Sequence, residues 1–402
     1  LSQGVRRRHS GRIGPGLGTV MTCMKRFFWM GVLAVAGTLF ASCSREAALI
    51  EEELSQMTLR EKVGQLFYLR PESLDPEIEY STSAELPEFH LQAVNPRMRE
   101  TAARYPLGGV VLFAHNIQDE AQLSAFVADL RSLPGAPLLC VDEEGGRVAR
   151  LANNPAFGLP KYESMAAFKS PGEVQEAAFT IGSYLNRLGF DIDFAPVADV
   201  NTNPENIVIG NRAFSDSPAD AAGKVKAYVK GLRKAGVLGC LKHFPGHGDT
   251  QADTHFGYAV SGKKWEEMAA CEMVPFRAGI RAGAPLVMTA HISAPAVTGS
   301  EVPSTLSPVI LQEKLRGELG FKGVIITDAL EMGAITRQYK ASEACVLALE
   351  AGVDILLCVK DYPACFEAVL AAVEEGRLSE GRIDESVRRI LCLKHQAAKK
   401  RK

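Results

Sequence analysis

The sequence predicts an α/β fold, a single (β/α)8 barrel of the TIM type. Two patterns predict it. Short runs rich in Val, Ile and Leu alternate eight times with longer amphipathic stretches, which implies a parallel sheet covered on both faces. In addition, Asp142, Asp199, Lys242, His243, His291 and Asp328 fall at or just past the carboxyl ends of those runs, the end where a barrel gathers its catalytic groups. A doubly wound open sheet is the competing arrangement, but no Gly-rich dinucleotide fingerprint follows the first run.

The chain has 402 residues, 47% hydrophobic and 23% charged, with a formal net charge of -2, an ordinary globular balance without the basic excess that nucleic-acid binding asks for. That length accommodates two average domains, yet an α/β barrel of about 250 residues or more is one domain. The expected layout is a start and leader over residues 1–43, a linker and helix over 44–57, the barrel domain over 58–396 and a basic tail over 397–402.

Taken in order, Leu1 to Val20 is Arg- and Gly-rich and aperiodic, and we place the true start at Met21 or Met24. From Met24 come a basic pair (Lys25, Arg26), an apolar run (Phe27 to Phe40) and Ala41-Ser42-Cys43, the layout of an export signal. The run is short of the about 20 residues that a spanning helix needs. Small residues before Cys43 resemble a bacterial lipobox, so the mature chain is expected to begin at an acylated Cys43. With Ser44 and Arg45 following, the expected location is the outer membrane, facing the periplasm. Seven cysteines remain beyond the leader, an odd number; Cys140, Cys240 and Cys358 sit inside apolar runs, so no disulfide framework is expected.

Ala47 to Leu59 reads as a polar helix. The candidate strands are Gly64–Leu69, Gly109–Phe113, Pro137–Asp142, Phe190–Val197, Gly239–Phe244, Leu286–Ile292, Gly323–Asp328 and Asp354–Cys358. Between them lie the amphipathic stretches Gln122–Arg131, Glu173–Leu188, Pro218–Lys234, Trp265–Arg281, Pro308–Leu319, Ser342–Ala351 and Pro363–Glu375. Pro71 to Tyr105 reads as an elaborated loop plus helix between the first two strands, and Ile383 to Ala397 as the last helix.

The densest chemistry lies in Leu241 to His255, L-K-H-F-P-G-H-G-D-T-Q-A-D-T-H. Pro245, Gly246 and Gly248 place its titratable groups on a loop after a buried strand. Lys242 and His243 read as a clamp, Asp253 and His255 as a catalytic pair. Asp328 closes Val324-Ile325-Ile326-Thr327, where its plain reading is an N-cap on the next helix and its strand-end place makes it a site candidate. Asp142 leads into Glu143-Glu144-Gly145-Gly146-Arg147-Val148-Ala149-Arg150, whose glycines let acids and arginines face one ligand. His247 is assigned no chemistry.

Together D-E-E-G-G-R-V-A-R (Asp142–Arg150), D-F-A-P-V-A-D-V-N (Asp193–Asn201), I-G-N-R-A-F (Ile209–Phe214), K-H-F-P-G-H-G-D-T-Q-A-D-T-H and I-T-D-A-L-E-M (Ile326–Met332) resemble glycoside hydrolase family 3. More narrowly they look like its exo-acting β-N-acetylglucosaminidase (β-hexosaminidase) branch, over about Leu59 to Ile390. The resemblance implies retaining hydrolysis of terminal β-linked GlcNAc without metal or cofactor. It implies Asp328 as nucleophile, His255 as general acid/base with Asp253 as its partner, and Asp142, Arg150, Arg212, Lys242 and His243 as ligands of the terminal sugar. Glu143, Asn211 and Ala329 depart from residues often seen there. A carboxylate on one imidazole nitrogen fixes the tautomer, so the other nitrogen can shuttle the proton. A neutral base also leaves phosphate conceivable as acceptor.

The expected partner is a β-GlcNAc-terminated glycan, a muropeptide or chitin-type oligosaccharide, with the membrane met only through the lipid anchor. The alternatives are a β-glucosidase or GlcNAc phosphorylase of the same family, a metal hydrolase built on His243, His247, Asp249, Asp253 and His255, and a non-catalytic sugar-binding lipoprotein.

Overall fold

A computed structural model describes residues 1, 4, 45–78, 90–252 and 259–401. The chain divides into two units, residues 1–55 and residues 56–402. In the first, the described structure is helical from residue 45. The leader and Cys43 lie outside the described residues.

The second unit is the barrel. Its strands are β1 (Phe67–Leu69), β2 (Gly109–Leu112), β3 (Leu138–Val141), β4 (Ile192–Asp193), β5 (Leu238–Phe244), β6 (Leu286–Thr289), β7 (Val324–Thr327) and β8 (Leu356–Leu357). They form one eight-stranded sheet in the order β7-β6-β5-β4-β3-β2-β1-β8, all pairs parallel. The ring meets itself between β7 and β8 through the bridge Ile326–Ile355. Every residue of β2, β3, β6 and β7 is buried, as expected for strands covered by helices outside and by each other's side chains inside.

Seven of the eight expected strands are shorter in the structure, the first, fourth and eighth among them. Gly64 and Gln65 end helix α1 (Leu59–Gln65), because Thr58 and Glu61 form a reciprocal capping box that starts a helix there; the expected Ala47–Leu59 helix breaks before it. In the fourth segment regular pairing covers Ile192–Asp193 and resumes as a bridge between Val197 and Lys242, while single backbone bonds run on between them, Phe194 N to the Val141 carbonyl and Cys240 N to that of Ala195 (2.8 Å each). In the eighth, Asp354 is fully buried and turns its carboxylate onto the Ile325 N–H (2.9 Å) and Arg316 (2.6 Å) instead of extending the strand. Gly109 is needed for packing: a Cβ there would lie 2.4 Å from the Tyr68 ring that fills the barrel.

The covering helices match the expected stretches closely. They include α2 (Pro96–Arg104), α3 (Glu120–Arg131), α4 (Pro171–Arg187) and α5 (Pro218–Ala235). α4 and α5 approach closely at small residues, Gly231 against Ala178 and Gly182 against Ala235. The final helix runs Glu380–Lys400, beyond the expected end at Ala397. Within the residues expected as a solvated tail, Arg401 reaches Asp191 at 3.4 Å. Cys140, Cys240 and Cys358 are buried free thiols whose pKa burial pushes up, which keeps them protonated and inert.

Candidate active site

The carboxyl ends of the strands enclose a cavity of about 380 Å³, within the range of small-molecule sites. Asp142, Arg150, Arg212, Lys242, His243 and Asp328, six of the eight residues assigned to the site from sequence, line it together. The other two, Asp253 and His255, lie outside the described residues. The stem of their loop is described: Gln251–Ala252 pairs antiparallel with Ala259–Val260, which pairs with Ile292–Ser293. At its start, Gly248 packs so closely that a Cβ would lie 1.9 Å from the Val200 carbonyl.

β5 brings the clamp. Opposite Val287 and Thr289 of β6 stand Leu241 and Phe244, so β5 carries one extra residue, a bulge. Strand alternation would send Lys242 and His243 to opposite faces; here both line the cavity. Lys242 is buried and its Nζ donates to Asp142 Oδ1 (2.7 Å) and lies 2.6 Å from Glu144 Oε1. Glu144 in turn accepts both Arg212 Nε (2.9 Å) and Nη2 (2.6 Å), the bidentate fork of a guanidinium on a carboxylate. Arg150 lies 3.5 Å from Asp142.

Burial alone would push the Asp142 carboxyl up, but Lys242 and Arg150 outweigh it and hold its pKa down at about 2. Glu144 is likewise held below its ordinary value against burial, by Lys242 and Arg212. Burial works against the Lys242 charge too, and Asp142 and Glu144 overcome it and raise the pKa. The result is a set of fixed, ionised donors and acceptors with defined directions.

His243 is oriented from below. Its Nδ1 lies 2.7 Å from Asp199 Oδ2, and Asp199 also accepts the backbone N–H groups of His243 (3.2 Å) and His247 (2.6 Å). With Nδ1 turned to that carboxylate, Nε2 faces Arg212 Nη2 at 3.4 Å. His247 Nδ1 meets Thr250 Oγ1 at 2.7 Å and holds the turn after β5.

Asp328 follows β7, where its N–H donates to the Thr289 carbonyl (3.0 Å). Its Oδ1 accepts the N–H of Ala329 (2.8 Å), and Oδ2 has no hydrogen-bond partner among the described residues. His291, counted from sequence among the strand-end polar residues, stands behind this turn instead of in the cavity lining. Its Nε2 lies 3.0 Å from the Ala329 carbonyl, which can only accept, and its Nδ1 lies 2.9 Å from Thr305 Oγ1. Burial lowers its pKa and favours the neutral ring.

Residues 58–393 match the family model of the glycosyl hydrolase family 3 N-terminal domain. The chain belongs to glycosyl hydrolase family 3. Among curated relatives it is 36% identical over 328 residues to beta-hexosaminidase A of Pseudoalteromonas piscicida, covering 74% of this chain and 55% of that one. It is 37% identical over 280 residues to the beta-hexosaminidase of Stenotrophomonas maltophilia (strain R551-3), covering 68% and 82%. Among solved structures, a family 3 beta-N-acetylglucosaminidase from Paenibacillus sp. str. FPU-7 superposes with a TM-score of 0.76 at 37% identity, over 85% of this chain and 63% of that one. The chain thus spans just over half of the Pseudoalteromonas relative.

Several members of the cavity lining were missed from sequence. Glu144 is one, although strand alternation from Asp142 puts Glu144 on the same side and Glu143 on the other. Glu143 indeed points away: it accepts the Leu151 and Ala152 N–H groups (2.9 and 2.8 Å) and the Tyr184 hydroxyl (2.7 Å), and so shapes the turn that presents Arg150. Arg70, Phe113 and Glu331 also line the cavity; Arg70 pairs with Glu331 and stacks 4.4 Å over the Phe113 ring. Arg70 directly follows a buried β1, the same strand-end position that marked the others.

Proposed function

We propose that this protein is a retaining exo-β-N-acetylglucosaminidase that releases terminal β-linked GlcNAc, with Asp328 as nucleophile and the Asp253/His255 pair as acid/base. The observation that carries the reading is the meeting, in one cavity, of Asp328 with an ionised clamp built on Asp142, Glu144, Lys242, Arg150 and Arg212. The activities for which the relatives are named, hexosaminidase and β-N-acetylglucosaminidase, support the choice of sugar. A binding protein needs the clamp but not a carboxylate at the end of β7 with one oxygen left over.

In the first step an Asp328 oxygen bonds to the anomeric carbon while the bond to the leaving oxygen breaks, and His255 gives that oxygen its proton. In the second step water attacks the anomeric carbon, His255 takes the proton, and the ester to Asp328 breaks. The clamp holds the sugar hydroxyls by charge-assisted hydrogen bonds throughout. Two displacements at one carbon retain the β configuration.

The test is turnover of p-nitrophenyl β-GlcNAc, with the product anomer followed by NMR. We expect β-GlcNAc first, and Asp328→Ala to abolish turnover while still binding GlcNAc. A normal rate in that variant discards the nucleophile assignment, and a first-formed α anomer discards retention. Running the assay in phosphate separates hydrolysis from phosphorolysis, because only the latter yields a sugar phosphate. We also propose that Cys43 is acylated and anchors the chain to the outer membrane. The sequence Ala41-Ser42-Cys43 after the apolar run motivates this. Cys43→Ala then leaves the membrane fraction; a variant that stays there counts against the anchor.

A further inference from the structure

Among the described residues of the barrel unit, the large apolar side chains that stand exposed are Phe179, Ile207, Val208 and Met332. Phe179 has the Lys234 ammonium 4.7 Å above its ring. The other three gather at one place. Val208 and Met332 line the cavity and Ile207 is next to Val208, with exposures of 83% for Ile207, 51% for Val208 and 43% for Met332.

Their exposure is built. The segment carrying Ile207 and Val208 is fixed from both sides: Arg147 Nη2 donates to the carbonyls of Ile207 (2.8 Å), Val208 (2.6 Å) and Ile209 (3.3 Å), and Arg212 Nη1 to that of Val208 (3.1 Å). Asn206 Oδ1 accepts the N–H groups of Val208 and Ile209 (3.0 Å each). Carbonyls held by arginines leave the two side chains on the solvent side of a rigid turn. Met332 stands four residues after Asp328, in the short turn whose Glu331 N–H donates to the Cys358 carbonyl (3.0 Å). Apolar surface presented this way beside a charged cavity has a purpose that stability does not supply.

We propose that Ile207, Val208 and Met332 form the subsite for the aglycone, and that it takes a leaving group with methyl or methylene surface in preference to a bare hydroxylic one. This rests on the exo-glycosidase reading. If the terminal sugar fills the clamp, the bond to be cut lies at the cavity mouth. The aglycone beyond that bond must then cross the rim where these three side chains stand. A second sugar bearing acyl or ether substituents has the required chemistry.

The test uses ethyl and n-hexyl β-GlcNAc, whose alcohols leave with nearly the same pKa and differ in apolar area. For the wild type we expect kcat/KM for the hexyl glycoside to exceed that for the ethyl by about tenfold, as four partly buried methylenes allow. In Ile207→Ser/Val208→Ser/Met332→Ser that ratio falls toward one, and Ile207→Ser alone, at the most exposed of the three positions, lowers it in part. A wild-type ratio near one, or a ratio unchanged in the triple variant, overturns the proposal. If in addition only the wild type self-associates in sedimentation, the rim is a contact between copies. No turnover of either glycoside by a folded enzyme refutes the GlcNAc reading itself, which is a separate failure.

Discussion

Replacing Glu144 by Gln tests the core of the site. Glu144 is buried and stands between two cations, 2.6 Å from Lys242 Nζ and 2.6 Å from Arg212 Nη2. The cluster holds two carboxylates (Asp142, Glu144) against three cations (Arg150, Arg212, Lys242), a formal +1 that becomes +2 in the variant. Removing one member of a buried pair costs about 3–5 kcal/mol. Gln keeps an accepting oxygen and Asp142 still faces Lys242, so the lower end, about 3 kcal/mol, is expected. A domain of this size unfolds with an entropy of about 0.7 kcal/mol per degree, which turns 3 kcal/mol into a Tm drop of about 4 °C. Urea unfolding should show the loss as a lower midpoint with unchanged slope. The decisive measurement is the cycle with Arg212→Met, which should cost at least about 1 kcal/mol less in the Gln background than in the wild type. Strict additivity, or a loss below about 1 kcal/mol for Glu144→Gln alone, would refute the view of these residues as one electrostatic unit.

Other outcomes rest on the same geometry. His291 and His247 have folded pKa values depressed by burial, so each contributes stability above its ordinary value of 6.5 that is lost as pH falls through that value. Each group can remove up to about 1.4 kcal/mol per pH unit below 6.5. His291→Gln, which keeps an N–H for the Ala329 carbonyl, should flatten the fall in Tm between pH 7.5 and 5.5; an equal slope would remove His291 from the account. Gly248→Ala forces its Cβ against the Val200 carbonyl, and kcat on p-nitrophenyl β-GlcNAc should fall at least about tenfold with the fold intact by circular dichroism. A wild-type kcat would mean the loop start adjusts without consequence. Thr58→Ala removes the capping box of α1 and should cost about 1 kcal/mol in urea unfolding, with activity unchanged.

Most of the barrel could be read from the chain because a covered parallel strand needs apolar residues on both faces. Runs such as Val324–Thr327 therefore announce themselves. Where a side chain takes the place of a ladder bond, as at Asp354, the strand is shorter than its apolar run. A charged residue at the end of such a run pointed to Asp142, Lys242 and Asp328, though the same position after β1 did not single out Arg70. Glu144 and Arg70 escaped because their partners, Arg212 and Glu331, are 68 and 261 residues away in sequence, and only the closed ring brings them together. His291 shows the converse: a strand-end histidine that braces the Asp328 turn through a carbonyl, without lining the cavity.

The seam between β7 and β8 is made differently from its neighbours. Backbone groups carry part of it, Thr327 N to the Ile355 carbonyl (3.0 Å) and Ile355 N to that of Ile325 (3.0 Å). Its two ends are finished by side chains, the Thr327 hydroxyl accepting Leu357 N (2.9 Å) and the Asp354 carboxylate accepting Ile325 N (2.9 Å). Every residue but proline supplies a ladder bond, whereas a side-chain bond depends on which residue stands there. The β7–β8 seam is thus partly written in residue identity, as is the β3–β4 seam, where the Asp191 and Asp193 carboxylates accept Leu139 N (2.9 Å) and Glu143 N (3.0 Å). Single substitutions at Thr327 or Asp354, neither of which lines the cavity, can therefore loosen or tighten the strand that ends at Asp328.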